Sequence, residues 1–73
     1  MGKNQHVVPN RGKWGVRGAG NKSFTRVFDT QKEAIKFARE IAIRQKSELI
    51  IHSKTGRIRD KNTYGKDNFP PRG

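Results

Sequence analysis

The side chains able to do covalent or acid–base chemistry are few and badly placed for it. His6 and His52 are far apart, and neither has a His, Asp or Glu at metal-ligand spacing. Ser23, Ser47 and Ser53 have no base and orienting group beside them in the pattern that activates a hydroxyl. Of the acids, Asp29, Glu33 and Glu40 have ordinary work at a helix start and on a helix flank, which leaves no carboxylate pair for general acid–base catalysis. Gly18-Ala19-Gly20 looks like a fragment of a phosphate loop, but such a loop needs Gly-Lys-Ser/Thr opening a helix, and here a strand pattern follows. Cysteine is absent, which removes thiolate catalysis, disulfides and Cys-based zinc sites. The inventory points to a non-enzyme with no cofactor, no metal and no small-molecule substrate.

Positive charge is what the chain has in quantity. Its 73 residues hold 17 Lys and Arg against 6 Asp and Glu, a formal net charge of +11. The charge is uneven. Residues 1–28 carry Lys3, Arg11, Lys13, Arg17, Lys22 and Arg26 and no acid, whereas the remainder mixes signs. An acid-free basic segment is the footprint of a polyanionic partner. The longest apolar runs are three or four residues, too short to cross a membrane, and Met1–His6 lacks the apolar stretch of a secretory signal. A cytoplasmic location with no membrane partner is the expectation.

The elements that must position these charges follow from periodicity. His6-Val7-Val8-Pro9 is a short β-prone run ended by proline, and Asn10-Arg11-Gly12-Lys13 has turn chemistry. Lys13-Trp14-Gly15-Val16-Arg17 alternates, which sets Lys13 and Arg17 on one strand face and Trp14 with Val16 on the other. Gly18 to Lys22 reads as a hairpin loop. Residues 23–28 read as a third strand whose facing is ambiguous, because Phe24, Arg26 and Phe28 share one side and Thr25 and Val27 the other. Thr30-Gln31-Lys32-Glu33 is a capping box that opens a helix ending near Lys46 or Ser47. Its Ala34, Phe37, Ala38 and Ile41 form the core stripe. Lys32, Lys36, Arg39 and Lys46 form a solvated face, and Glu40–Arg44 is an i,i+4 pair. Glu48–His52 and Arg57-Ile58-Arg59 are two further strands around a Ser53–Gly56 turn, with Ile58 inward.

Two resemblances attach to particular residues. The start MGKNQHVVP, the middle FDTQKEA, then SELIIH, GRIRD, Tyr64-Gly65 and Phe69-Pro70-Pro71 run collinearly along nearly the whole chain. On these the chain resembles a family of small bacterial proteins known only as a domain of unknown function. Over residues 13–42, Gly12-Lys13-Trp14, a basic strand, Phe28-Asp29-Thr30 and Glu33-Ala34 before an amphipathic helix are similar to the arm-type DNA-binding domains of phage-type integrases. That resemblance implies a three-stranded sheet, backed by a helix, that reads the major groove with Lys13, Arg17 and Arg26 on the reading face. Gly15, Gly18 and the strands after the helix depart from that pattern.

The expectations are therefore these. The fold class is α+β in the order β-β-β-α-β-β, one amphipathic helix packed on a small antiparallel sheet. Residues 1–60 form a single domain and 61–73 an irregular tail, with Tyr64 and Phe69 pinning it to the body. The function is a non-catalytic binding module that engages nucleic acid, DNA over RNA, through Arg11, Lys13, Arg17, Lys22, Arg26, Arg57 and Arg59. The alternative is a protein-interaction or regulatory module, homodimeric or bound to an acidic protein, in which the charge serves solubility.

Overall fold

The computed structural model describes residues 3–64. A two-residue turn organises its first unit. Arg11 and Gly12 both take left-handed backbone, φ 52° and 81°, the pairing whose twist matches an antiparallel hairpin. It joins β1 (Gln5–Asn10) to β2 (Lys13–Gly18), with Val7 opposite Val16 and Asn10 opposite Lys13. Asn10 and Lys13 close the turn, so the nitrogen of Pro9 points away from β2. On that side β1 is paired only over Gln5–Val7. The proline removes no ladder bond, and β1 runs through it instead of ending there.

β3 is shorter than the expected third strand, spanning Arg26–Phe28 and pairing antiparallel with β2. The helix α1 (Gln31–Gln45) then starts where its capping box sets it: the Glu33 amide donates to Thr30 Oγ1 at 3.2 Å, and the Thr30 hydroxyl donates to the Glu33 carboxylate. It stops at Lys46, whose left-handed φ of 53° lets the Ser47 amide reach back to the Ala42 carbonyl at 2.9 Å. The expected Glu40–Arg44 pair is not among the ion pairs formed.

The sheet is mixed, not antiparallel throughout. Its order is β3-β2-β1-β4-β5, and β4 (Glu48–His52) lies parallel to β1. The reason is the helix. A strand–helix–strand crossover returns the chain in its original direction, so β4 runs parallel to β3. Since β3 and β1 both oppose β2, β4 is parallel to β1 as well. β5 (Ile58–Thr63) completes the sheet antiparallel to β4. It carries regular structure to Thr63, and Tyr64 packs against the core with its amide bonded to the Ser47 carbonyl at 3.0 Å. Phe69 lies outside the described residues.

The helix covers one face of the sheet. Val7, Val16, Leu49 and Ile51 meet Ala34, Ala38 and Ala42, none more than 5% exposed. Alanine on the buried stripe lets the helix approach closely, while Trp14, Phe28, Ile35 and Phe37 close the rim. Trp14, half-buried, packs against this core on the same side as Val16. Among the described residues no helix is long and apolar enough to cross a membrane.

Candidate nucleic-acid interface

Strand register decides which cations meet, because directly paired residues share a face. Val7 and Val16 face the helix, so their neighbours face away. Along the uncovered side of the β1–β2 hairpin lie Asn10 with Lys13, Val8 with Gly15, and His6 with Arg17. Two polar pairs are therefore separated by an apolar step. Phe24 caps that step from the β2–β3 connection: a Cβ on Gly15 would collide with its ring, so the glycine is the seat of the aromatic ring. Gly15 thins the strand in order to hold Phe24 on the open face.

The basic residues named from the sequence divide between locations. Lys13 and Arg17 share the open face, as the alternation of β2 requires. Arg11 stands exposed at the hairpin turn. Arg57 lies in the β4–β5 turn, at the same end of the sheet because β4 is parallel to β1. Lys22 is exposed in the loop at the opposite end.

Two members of the set go elsewhere. Arg26 is paired with Val16 and so faces the helix side, its guanidinium 5.3 Å from the Phe28 ring centre and 5.9 Å from that of Phe37. The ambiguity of the third strand resolves with Arg26 and Phe28 toward the helix and Phe24 on the opposite side. Arg59 also turns to the helix side, donating from Nη1 to Gln31 Oε1 at 2.8 Å. Ile58, expected inward, is 64% exposed. A register shift between Ile51 and His52 causes both changes, since it inserts one residue into β5.

One constellation on the open face forms only through the pairing of β1 with β4. His6 and His52, 46 residues apart, are brought to 3.1 Å between Nδ1 and Nε2. His52 Nδ1 lies 3.0 Å from the Gly56 carbonyl, which only accepts, so in the neutral pair this nitrogen carries the proton and Nε2 accepts from His6 Nδ1. The free nitrogen of neutral His6 is then Nε2. Burial, then His52, then Arg17 hold the His6 pKa below its usual value. The one available signal is parity: both histidines flank core residues of their strands, but only the parallel pairing of Val7 with Ile51 makes them neighbours. Among the described residues no group of three or more side chains is arranged to hold a metal.

Two surface ion pairs, one with the half-buried Glu48, trim the charge of this face. Lys13 reaches Asp29 at 3.2 Å and Lys61 reaches Glu48 at 3.5 Å. Such pairs hold weakly and exchange readily for another anion. Arg17 has no such pairing among the described residues.

The molecule is thus a small α+β domain with a helix on one side of a mixed sheet and a basic, histidine-bearing face on the other. The chain belongs to the family described as an uncharacterized protein conserved in bacteria, DUF2188, whose model matches residues 5–64. It is also similar to the uncharacterized protein YdaT of Bacillus subtilis (strain 168), 38% identical over 65 residues, which make up 89% of this chain and 43% of that protein. The chain accordingly spans less than half of that relative's length. No solved structure matches it.

Proposed function

We propose that this domain is a small non-catalytic module that binds nucleic acid, DNA in preference to RNA, through the open face of its β1–β2 hairpin. The observation that carries the reading is the pairing of Asn10 with Lys13 and His6 with Arg17 on the side of the sheet the helix leaves bare. A two-stranded ribbon fits the B-form major groove, where Arg or Lys matches guanine and Asn matches adenine. The A-form major groove is too deep and narrow for side chains to read, which favours DNA. Phe24 between the two polar pairs suits the methyl edge of thymine. Arg11, Arg57 and Lys22, at the two ends of the sheet, serve phosphates on either side.

Fluorescence anisotropy with labelled duplex DNA, single-stranded DNA and RNA, titrated from about 50 to 200 mM salt, tests this. Duplex DNA is expected to bind tightest, with log K falling by about 0.9 per unit log salt for each phosphate contacted. Absence of binding to any of the three at about 50 mM salt rejects the reading.

A second reading rests on the β5 edge. Among the described residues its six positions have no partner strand on the outer side, and Ile58 stands 64% exposed among them. Edge-to-edge pairing with another copy or another protein would cover both. A mass by light scattering that doubles with concentration and falls back in an Ile58→Lys variant supports this reading over the first.

A further inference from the structure

The helix side of the molecule carries a second set of cations, built differently from the first. Lys32, Lys36 and Arg39 recur at helical spacing along the exposed flank of α1. With Arg59 of β5 they line a groove of about 450 Å³ that also includes Ile35. An uninterrupted β4–β5 ladder would set Arg59 opposite His52, on the open face. The register shift puts Ile58 there and turns Arg59 to the helix, at the cost of exposing an isoleucine.

Once there, Arg59 is held in place without being neutralised. Its Nη1 donates to the Gln31 side-chain oxygen at 2.8 Å, and Gln31 is itself fixed, its Nε2 donating to the His52 carbonyl at 2.9 Å. The partner is an amide, so the guanidinium keeps its full charge and its Nε and Nη2 groups for a ligand. Among the described residues, none of the four groove cations is in a salt bridge. The one carboxylate in the lining, Glu33, accepts from the Thr30 hydroxyl in the capping box. Asp60, next to Arg59, accepts from the Lys61 amide. The groove includes the first turn of α1, Gln31 to Glu33, where the helix dipole is positive.

We propose that the groove between α1 and β5 is a phosphate-binding site, separate from the open sheet face. A preset arginine flanked by exposed ammonium and guanidinium groups suits a compact multivalent oxyanion. Arg supplies paired donors of fixed geometry and Lys supplies point charge. Two sources could bring that chemistry: a free phosphoryl compound, or the phosphodiester of a nucleic acid lying along the helix.

The test is a titration of the ¹⁵N-labelled full chain with sodium pyrophosphate at constant ionic strength, followed by amide chemical shifts. The expected result is a saturable shift at Gln31, Lys32, Lys36 and Arg59 that leaves Lys13 and Arg17 in place. Arg59→Gln is expected to weaken it roughly tenfold, the size of one charge-assisted hydrogen bond. Arg17→Gln, on the other face, is expected to change it less than about twofold. Saturation absent below about 10 mM, or equal losses in the two variants, overturns the proposal. Circular dichroism of each variant verifies that it folds. Duplex DNA then separates the sources. Groove shifts induced by DNA and reversed by pyrophosphate identify a phosphodiester, and groove amides that respond to pyrophosphate alone identify a free phosphoryl ligand. Because the first readout uses pyrophosphate and groove amides only, its failure leaves the sheet-face reading to stand or fall separately.

Discussion

On the helix side of the sheet Val7, Val16, Leu49 and Ile51 meet three alanines with almost no exposed surface. On the other side of β1 and β2, His6, Val8 and Arg17 are half-exposed, and His6 meets His52 of β4 across the buried Ile50. The covered side is specified by alternation within each strand. The open side depends on which strands become neighbours, because Arg17, His6 and His52 come from three segments of the chain. Stability should therefore reside on one face and recognition on the other, and the two should respond separately to substitution.

The largest expected effect tests the covered side. Leu49 is 1% exposed, so Leu49→Ala should cost about 2–5 kcal/mol, read from urea denaturation. That is a large share of the stability of a domain this small. Ile58→Ser, on the exposed edge, should stay within about 0.5 kcal/mol. Equal losses would erase the distinction between the faces.

Gly15→Ala comes next. Its new methyl would occupy the seat of the Phe24 ring, so the ring must leave. A loss of about 1–3 kcal/mol is expected, together with altered Phe24 ring signals in NMR spectra. An unchanged Phe24 environment would show that the glycine does not hold the ring.

A smaller effect comes from pH. The folded state holds the His6 pKa below its unfolded value near 6.5. The unfolded chain therefore binds more protons below that pH, and stability, complete above about 6.5, should fall as the solution is acidified through it. His6→Gln should flatten this decline in urea midpoints compared between pH 7.5 and 5.5. A steeper decline in the variant would contradict the assignment. The same site should act in the opposite sense on binding. A phosphate beside Arg17 favours protonated His6, so DNA affinity should rise as pH falls over that interval.

The smallest effect concerns the helix end. Lys46 holds a left-handed conformation that glycine adopts without steric cost. Lys46→Gly should stabilise the domain by up to about 1 kcal/mol, and a loss of that size would show that the lysine side chain contributes packing.

Much of this was legible beforehand, for physical reasons that also explain the rest. The helix and its capping box, the outward Lys13 and Arg17, and the core role of Trp14 follow from period and local hydrogen bonding within a few residues. The parallel β1–β4 pairing does not, since it depends on where a helix delivers the next strand. The His6–His52 contact depends in turn on that pairing. Arg59 and Ile58 depart from simple alternation through one extra residue in β5, because a register shift inverts every side chain on one side of it. Arg26 could not be placed until Phe24 was known to lie outside β3.

Engagement of DNA by the open face of the hairpin is tested by mapping amide shifts of the labelled chain on adding a short duplex, alongside a Lys13→Glu, Arg17→Glu double variant. The largest shifts are expected at His6, Asn10, Lys13, Arg17 and Phe24, and they should be lost in a variant that keeps its fold. Shifts confined to Lys32, Lys36, Arg39 and Arg59, or unaltered by the double substitution, would contradict that engagement.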